Sequence, residues 1–207
     1  MKRRLSLAVA TILVVPTLST AAPCVVGTLE KYIALGAAGC TVDNVRFTSF
    51  DYKMTIPGVP PGRIEVRPFS TVTQGGASSL KFTGMWSAPA GQRLDAVIRY
   101  NVSLGYYPAI VPTPRGRLGL SLGPDRIGGA GASVDVVERT EAGKLYVYDH
   151  LYGGPILPPG AKREDRLDFS PPSLLRSSET MVTVVGGTGG ATLTYFASHY
   201  SIVRTTF

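Results

Sequence analysis

Apolar and polar positions alternate with a period of two through most of the chain beyond residue 40. Val45, Phe47, Ser49 and Asp51 alternate with Arg46, Thr48, Phe50 and Tyr52, in a stretch rich in aromatic and β-branched types. Such a stretch fits a pleated strand better than a helix. Similar segments follow at 63–72, 80–86, 94–104, 118–122, 133–139, 144–151, 181–185 and 191–203. Pro68 gives the second of the series an edge position or a bulge, because proline cannot donate to a ladder. Turn clusters separate them, among them Pro60-Pro61-Gly62, Gln74-Gly75-Gly76, Pro89-Ala90-Gly91, Gly128-Gly129-Ala130-Gly131 and Pro158-Pro159-Gly160. The spacing predicts an all-β fold, a single antiparallel β-sandwich, jelly-roll-like, of about eight or nine strands. A short N-terminal helix is expected within 27–36, where Leu29, Tyr32 and Ile33 lie near one face between bracketing glycines.

The first residues follow another rule. Met1-Lys2-Arg3-Arg4 is basic, residues 5–15 are apolar apart from Ser6 and Thr11, and Pro16 breaks the run before Leu18-Ser19-Thr20-Ala21-Ala22. That order is a secretory signal peptide, and its apolar run is too short to span a bilayer core of about 30 Å. Cleavage after Ala21 puts Ser19 and Ala21 where small residues are needed, giving a leader of 1–21 and one domain over 22–207. Cys24 invites a lipoprotein reading, but Pro23 stands where lipoprotein processing needs a small, flexible residue. The protein is expected to be exported, periplasmic or extracellular and soluble, with no membrane span in the mature chain.

Charge changes the picture little. Lys and Arg outnumber Asp and Glu by 21 to 14, and loss of Lys2, Arg3 and Arg4 with the leader leaves 18 against 14. The remaining charges are mixed, and Lys162-Arg163-Glu164-Asp165-Arg166-Leu167-Asp168 reads as a solvated loop face. Without a basic stripe interleaved with aromatics, no nucleic-acid partner is expected. With 207 residues, 44% apolar and 17% charged, the chain is neither disordered nor long enough for a large multidomain enzyme. Cys24 and Cys40 are the only cysteines. In an exported chain they are expected to pair, and closing a loop of about 15 residues stabilises by roughly 3 kcal/mol in the chain-entropy account.

The run Cys24, Gly27-Thr28-Leu29, Tyr32-Ile33-Ala34-Leu35-Gly36 and Gly39-Cys40-Thr41, followed by Phe47, Phe50 and Tyr52, carries a likeness. It resembles the start of exported bacterial β-sandwich proteins of the PEP-CTERM sorting-domain type. Leu94-Asp95, Asp168-Phe169-Ser170-Pro171 and the stretch from Val182 through Gly186-Gly187-Thr188-Gly189-Gly190 to Leu193 agree with it. The resemblance covers nearly the whole mature chain. It implies an exported sandwich of unassigned biochemical function, associated with the envelope or exopolysaccharide. The sorting tail of that group has no counterpart in Tyr200-Ser201-Ile202-Val203-Arg204-Thr205-Thr206-Phe207, which reads as the end of a strand. Soluble release, or retention through a partner, is therefore expected.

Candidate chemistry is sparse. Gly186-Gly187-Thr188-Gly189-Gly190 lacks the lysine and following helix of a phosphate loop, and is expected to be a β-hairpin turn. His150 and His199 are read as ordinary strand histidines. Ser198 and His199 face opposite ways on one strand and form no dyad. Serines are too common for the sequence to locate a nucleophile, and no Gly-x-Ser-x-Gly elbow is expected around any of them. Asp43, Asp51, Glu65, Asp95, Asp125, Asp135 and Glu138 form no Ca²⁺ loop, and Asp43-Asn44 and Gly123-Pro124-Asp125 read as turn formers. No catalytic centre, metal site or cofactor is expected.

Trp86 and the tyrosines at 100, 106, 107, 146, 148 and 152 are read chiefly as core or rim packing. Two stretches, 106–116 and 153–166, look like long loops, where binding residues tend to sit. Tyr106 and Tyr107 in the first are the candidate ligand-binding pair. The leading expectation is a non-enzymatic envelope or extracellular-matrix protein acting through surface interactions with envelope polysaccharide or another exported protein. A carbohydrate-binding module is the first alternative and a secreted hydrolase the second.

Overall fold

Alternating strands have one apolar face each, and two sheets built from them bury those faces by closing on each other. The computed structural model describes residues 21–55, 58–71, 76–105, 115–150 and 160–203. The expected leader, apart from Ala21, and Tyr106, Tyr107 and Tyr152 lie outside the described residues. In chain order the elements are β1 (Gly27–Thr28), α1 (Leu29–Ala34), β2 (Cys40–Val42), β3 (Val45–Met54), β4 (Glu65–Thr71), β5 (Ala77–Ala88), β6 (Arg93–Leu104) and β7 (Arg115–Leu122). They continue with β8 (Asp125–Ile127), β9 (Ala132–Thr140), β10 (Gly143–His150), β11 (Gly160–Lys162), β12 (Glu164–Phe169), β13 (Ser177–Gly186) and β14 (Ala191–Val203). The first sheet runs β11-β10-β9-β13-β6-β3-β2; the second runs β1-β4-β5-β14-β7-β12, with β8 also on β14. Every pairing between these strands is antiparallel.

The antiparallel sandwich and its short helix are as expected, but among the described residues fourteen strand segments replace the expected eight or nine. Four of the additions, β1, β2, β8 and β11, have two or three residues each, too few to show a period. The fifth, β12, is the charged stretch read as a loop. Its Glu164, Arg166 and Asp168 are exposed while Phe169 is buried, and β12 ends its sheet. Charge is a common feature of strands at sheet edges. Pro68 pairs with Leu80 beyond the reach of β1, where β4 has no second partner strand among the described residues.

The core is a train of aromatic rings. Trp86 packs on Phe196 at 5.6 Å, Phe196 on Phe82 at 5.1 Å and Phe82 on Tyr100 at 6.1 Å. Tyr100 stacks on Phe50 at 5.1 Å, and Phe50 meets Tyr32 of α1 edge-on at 5.1 Å. Phe47 and Phe50 are both buried although three residues apart, because β3 carries a bulge between Thr48 and Asp51, with Ser49 at φ +54°. The extra residue changes the phase of the alternation, a standard property of a bulge. Cys24 and Cys40 form the expected disulfide, with Cα atoms 4.8 Å apart.

Gly186–Gly190 is not a hairpin. It leaves β13 in the first sheet and enters β14 in the second, so the turn crosses the sandwich. Two other turns, β5 to β6 and β8 to β9, cross at the same end, and backbone hydrogen bonds tie all three. Gly91 N–H donates to Gly187 O at 2.6 Å, Gly186 N–H to Gln92 O at 2.9 Å, and Thr188 N–H to Ala130 O at 3.0 Å. A Cβ at Gly186 would lie 1.8 Å from Pro89 O, and one at Gly189 would lie 2.6 Å from the Gly128 carbonyl. These glycines are required by close approach of backbones as much as by turn geometry.

Among the described residues one acid lies inside the core. Glu138 is fully buried, and its Oε1 accepts from Ser178 Oγ and Tyr200 Oη, each at 2.6 Å. Among the described residues Oε2 meets no hydrogen-bonding partner. Burial pushes the Glu138 pKa up despite the hydroxyls that favour the charged form.

Two outcomes follow from this packing. Gly186→Ala should destabilise by about 3 kcal/mol, through overpacking against backbone that cannot turn aside, read as a lowered urea midpoint with an unchanged slope. For Glu138, the native state keeps a proton that the unfolded state releases above the ordinary carboxylate pKa. Its contribution to stability therefore falls as pH rises through that window, by at most about 1.4 kcal/mol per pH unit. Glu138→Gln should gain on the parent between about pH 5 and pH 8, which paired urea titrations at the two pH values will measure.

Candidate functional site

Register places a row of side chains across the outer face of the second sheet. His199 on β14 lies opposite Ser79 on β5 and Gly119 on β7; Phe69 on β4 pairs with Ser79, and Arg166 on β12 with Gly119. In the adjacent rows Ala197 lies opposite Ser121, and Ser201 opposite Arg117. Because side chains alternate, the neighbours Leu118, Leu120, Ser198 and Tyr200 are buried on the other face. Small residues dominate the middle of this surface. They leave a groove of about 140 Å³ whose lining includes Ala77, Arg117, Gly119, Ser121, Arg166 and His199.

His199 is the centre of the groove. Its Nδ1 lies 2.9 Å from Ser79 Oγ and its Nε2 lies 2.9 Å from Ser121 Oγ. Phe69 meets the imidazole edge-on at 5.9 Å. A Cβ at Gly119 would approach His199 Cβ to 3.3 Å, so the glycine leaves the ring its place. Burial lowers the His199 pKa, with Glu164 opposing and Arg166 adding to the shift. The ring is therefore neutral at neutral pH, with one nitrogen able to donate and the other to accept. Along the wall, Arg117 grips Asp168 with two bonds of 2.6 and 2.9 Å, holding that carboxyl below its usual range, and Arg166 meets Glu164 at 3.2 Å.

The other histidine serves a different cluster, on the outer face of the first sheet. His150 Nε2 lies 2.8 Å from Asp135 Oδ1, which also accepts from the Tyr146 hydroxyl, while Ser133 Oγ donates to Oδ2 at 3.2 Å. Burial, and then the Asp135 carboxylate, push the Tyr146 pKa up. Tyr146 stacks on Tyr148 at 5.0 Å and Tyr148 on His150 at 4.6 Å. The rings cover one another's faces, which leaves little flat surface for a sugar to stack on. Thr183, opposite both Asp135 and Asp95 in register, donates to Asp95 at 2.8 Å, and Arg93 clamps the same carboxylate.

Other residues singled out from the sequence are dispersed. Asp43, at φ +48° in the β2–β3 turn, accepts from Ser70 and Ser78, whereas Asp125 opens β8 and pairs with Arg163. Asp51 pairs with Arg99 and Glu65 with Arg67. Trp86 and Tyr100 are core residues. Among the described residues no group of three or more His, Cys, Asp or Glu side chains converges as a metal site would require, and no helix is long and apolar enough to cross a membrane.

Sequence reasoning misses Ser79, Ser121 and Gly119 as site residues, and with them Phe69, Ala77 and Arg117. A signal for one of them does exist, against the expectation that no such spacing occurs: Gly119-Leu120-Ser121-Leu122-Gly123 is a Gly-x-Ser-x-Gly sequence. Here it lies at the end of β7 and not at a strand-to-helix elbow. Its glycines instead let side chains of β14 approach, since a Cβ at Gly123 would stand 2.7 Å from the Tyr195 ring.

No family model and no curated protein matches this chain. Among solved structures, it is similar to TmCBM61, solved in complex with β-1,4-galactotriose, at 10% identity and a TM-score of 0.27, over 75% of this chain and 88% of the other. It is also similar to TmCBM27, a carbohydrate-binding module described for specific mannan recognition, at 8% identity and a TM-score of 0.25, over 86% and 96% of the two chains. A third is the glycoside hydrolase domain of Endo-D from Streptococcus pneumoniae R6, at 12% identity and a TM-score of 0.27, over 77% of this chain and 22% of that one. Likeness at this level says nothing of the ligand or activity of the present chain.

Proposed function

We propose that this chain is an exported protein that acts through surface interaction, and that the outer face of its second sheet holds a polysaccharide of the envelope or extracellular matrix. The observation that carries the reading is the groove centred on His199. Its middle is kept low by Ala77, Gly119, Ser121 and Ser201, and its wall carries the Arg117–Asp168 and Arg166–Glu164 pairs. Hydroxyl, imidazole, guanidinium and carboxylate groups together offer donors and acceptors in both senses, which is what a polyhydroxylated chain requires. An open groove also suits a ligand longer than one sugar ring, because nothing need close over it. Support for export comes from the order of charge, apolar run and small residues in 1–21 and from the Cys24–Cys40 disulfide.

The test is binding of the oxidised chain from residue 22 onward to a panel of envelope and matrix glycans. Saturable binding to one glycan class is expected, weakened at least tenfold, or about 1.4 kcal/mol, by Arg166→Ala, an exposed change on an edge strand. Loss through Tyr106→Ala/Tyr107→Ala with Arg166→Ala silent would move the site to the 106–114 segment. Absence of binding to every glycan would overturn the reading.

A further inference from the structure

Beyond this binding role, the geometry points to an acyl-transfer site in the same groove, with Ser121 as nucleophile, His199 as general base and Ser79 as the positioning residue. Three strands bring the groups together: Ser121 from β7, His199 from β14 and Ser79 from β5. A nucleophile within hydrogen-bond reach of a base, itself oriented by a third group, is the arrangement that activates a serine. Both contacts are 2.9 Å. The order along the relay follows from exposure. Ser121 is partly exposed and lines the groove, whereas Ser79 is fully buried behind the imidazole. For Ser121 Oγ–H to donate to Nε2, the ring must carry its proton on Nδ1 and donate it to Ser79 Oγ.

The substrate class is a short acyl ester on an exposed hydroxyl. Ser121 Oγ bonds to the carbonyl carbon as its proton passes to His199 Nε2. The ester C–O bond then breaks, and the departing alkoxide takes that proton. Water repeats the sequence on the acyl-serine: its proton goes to His199, its oxygen to the carbonyl carbon, and the proton returns to Ser121 Oγ. Arg117 and Arg166 line the groove and supply positive charge toward the oxyanion. Ser79 is neutral and cannot balance the imidazolium as a carboxylate would. Glu164, which favours the protonated ring, supplies part of that balance.

The experiment is labelling of the folded, oxidised chain with a fluorophosphonate, in which the serine oxygen bonds to phosphorus and fluoride leaves. Peptide mapping should place the label on Ser121. It should disappear in Ser121→Ala, and its rate should fall at least about tenfold in His199→Gln, in line with the contribution of a general base. Independently of any variant, ring ¹⁵N shifts of the unlabelled protein should show His199 protonated at Nδ1, and Ser79→Ala should return it to a mixture of tautomers. No label on folded protein, a label elsewhere, a rate indifferent to His199→Gln, or a ring protonated at Nε2 would overturn the assignment. The probe is not a glycan, so failure here leaves the binding reading standing, and failure of glycan binding leaves this one.

Discussion

Burial of the aromatic train between the sheets sets the register on which everything else rests. Phe196 and Tyr200 on β14, Phe82 and Trp86 on β5, and Tyr100 on β6 are fully or almost fully buried. A slip of one residue in β14 would drive both of its rings into water and His199 into the core, because strand side chains alternate. At roughly 1.5–3 kcal/mol for each large apolar side chain, such a slip is strongly disfavoured. Leu118 and Leu120 hold β7 in the same way. The contact of His199 with Ser79 and Ser121 is thus a by-product of three strands each fixed by what it buries on its other face.

That explains which parts of the protein are legible in the sequence. The alternation marks every strand of five residues or more except β12, whose inward positions include the carboxylate of Asp165 among so many charges that the apolar phase is obscured. Glycine marks a turn but not whether the strands beyond it share a sheet, so Gly186–Gly190 reads as a hairpin although it crosses the sandwich. The opposite orientations of Ser198 and His199 follow from local pattern alone and hold, with Ser198 buried and His199 lining the groove. Which residues flank His199 depends on strand order, and β5 and β7 lie far from β14 in sequence. No local period encodes that. The glycine-flanked Ser121 is a sequence signal, but its meaning depends on the same strand order.

The two outer faces and the core treat charge differently. On the outer faces, pairs such as Arg93–Asp95 and Arg117–Asp168 are partly exposed and contribute little each, because solvent screens them. In the core, Glu138 has two hydroxyl donors and, among the described residues, no cation, and burial favours its neutral form. His199 lies between these limits. It is buried enough to stay neutral, yet open enough for its hydrogen-bonded serine to meet solvent. Both conditions come from its position on the outer face beneath a shallow groove.

Gly119 is the point at which the constraints meet. Any side chain there would crowd the imidazole and begin to fill the groove, so one missing Cβ both seats the histidine and opens the surface above it. The sandwich can leave this region thin because its rigidity is secured elsewhere. The stacked crossing turns lie at the Ala191 end of β14, about 26 Å along the strand from His199 at the usual rise per residue. Backbone hydrogen bonds among those turns lock the two sheets together there. The middle of the second sheet needs no bulky outer residues to hold it, and between Phe69 and Arg166 its outer face is left to the small and polar side chains of Ser79, His199 and Gly119.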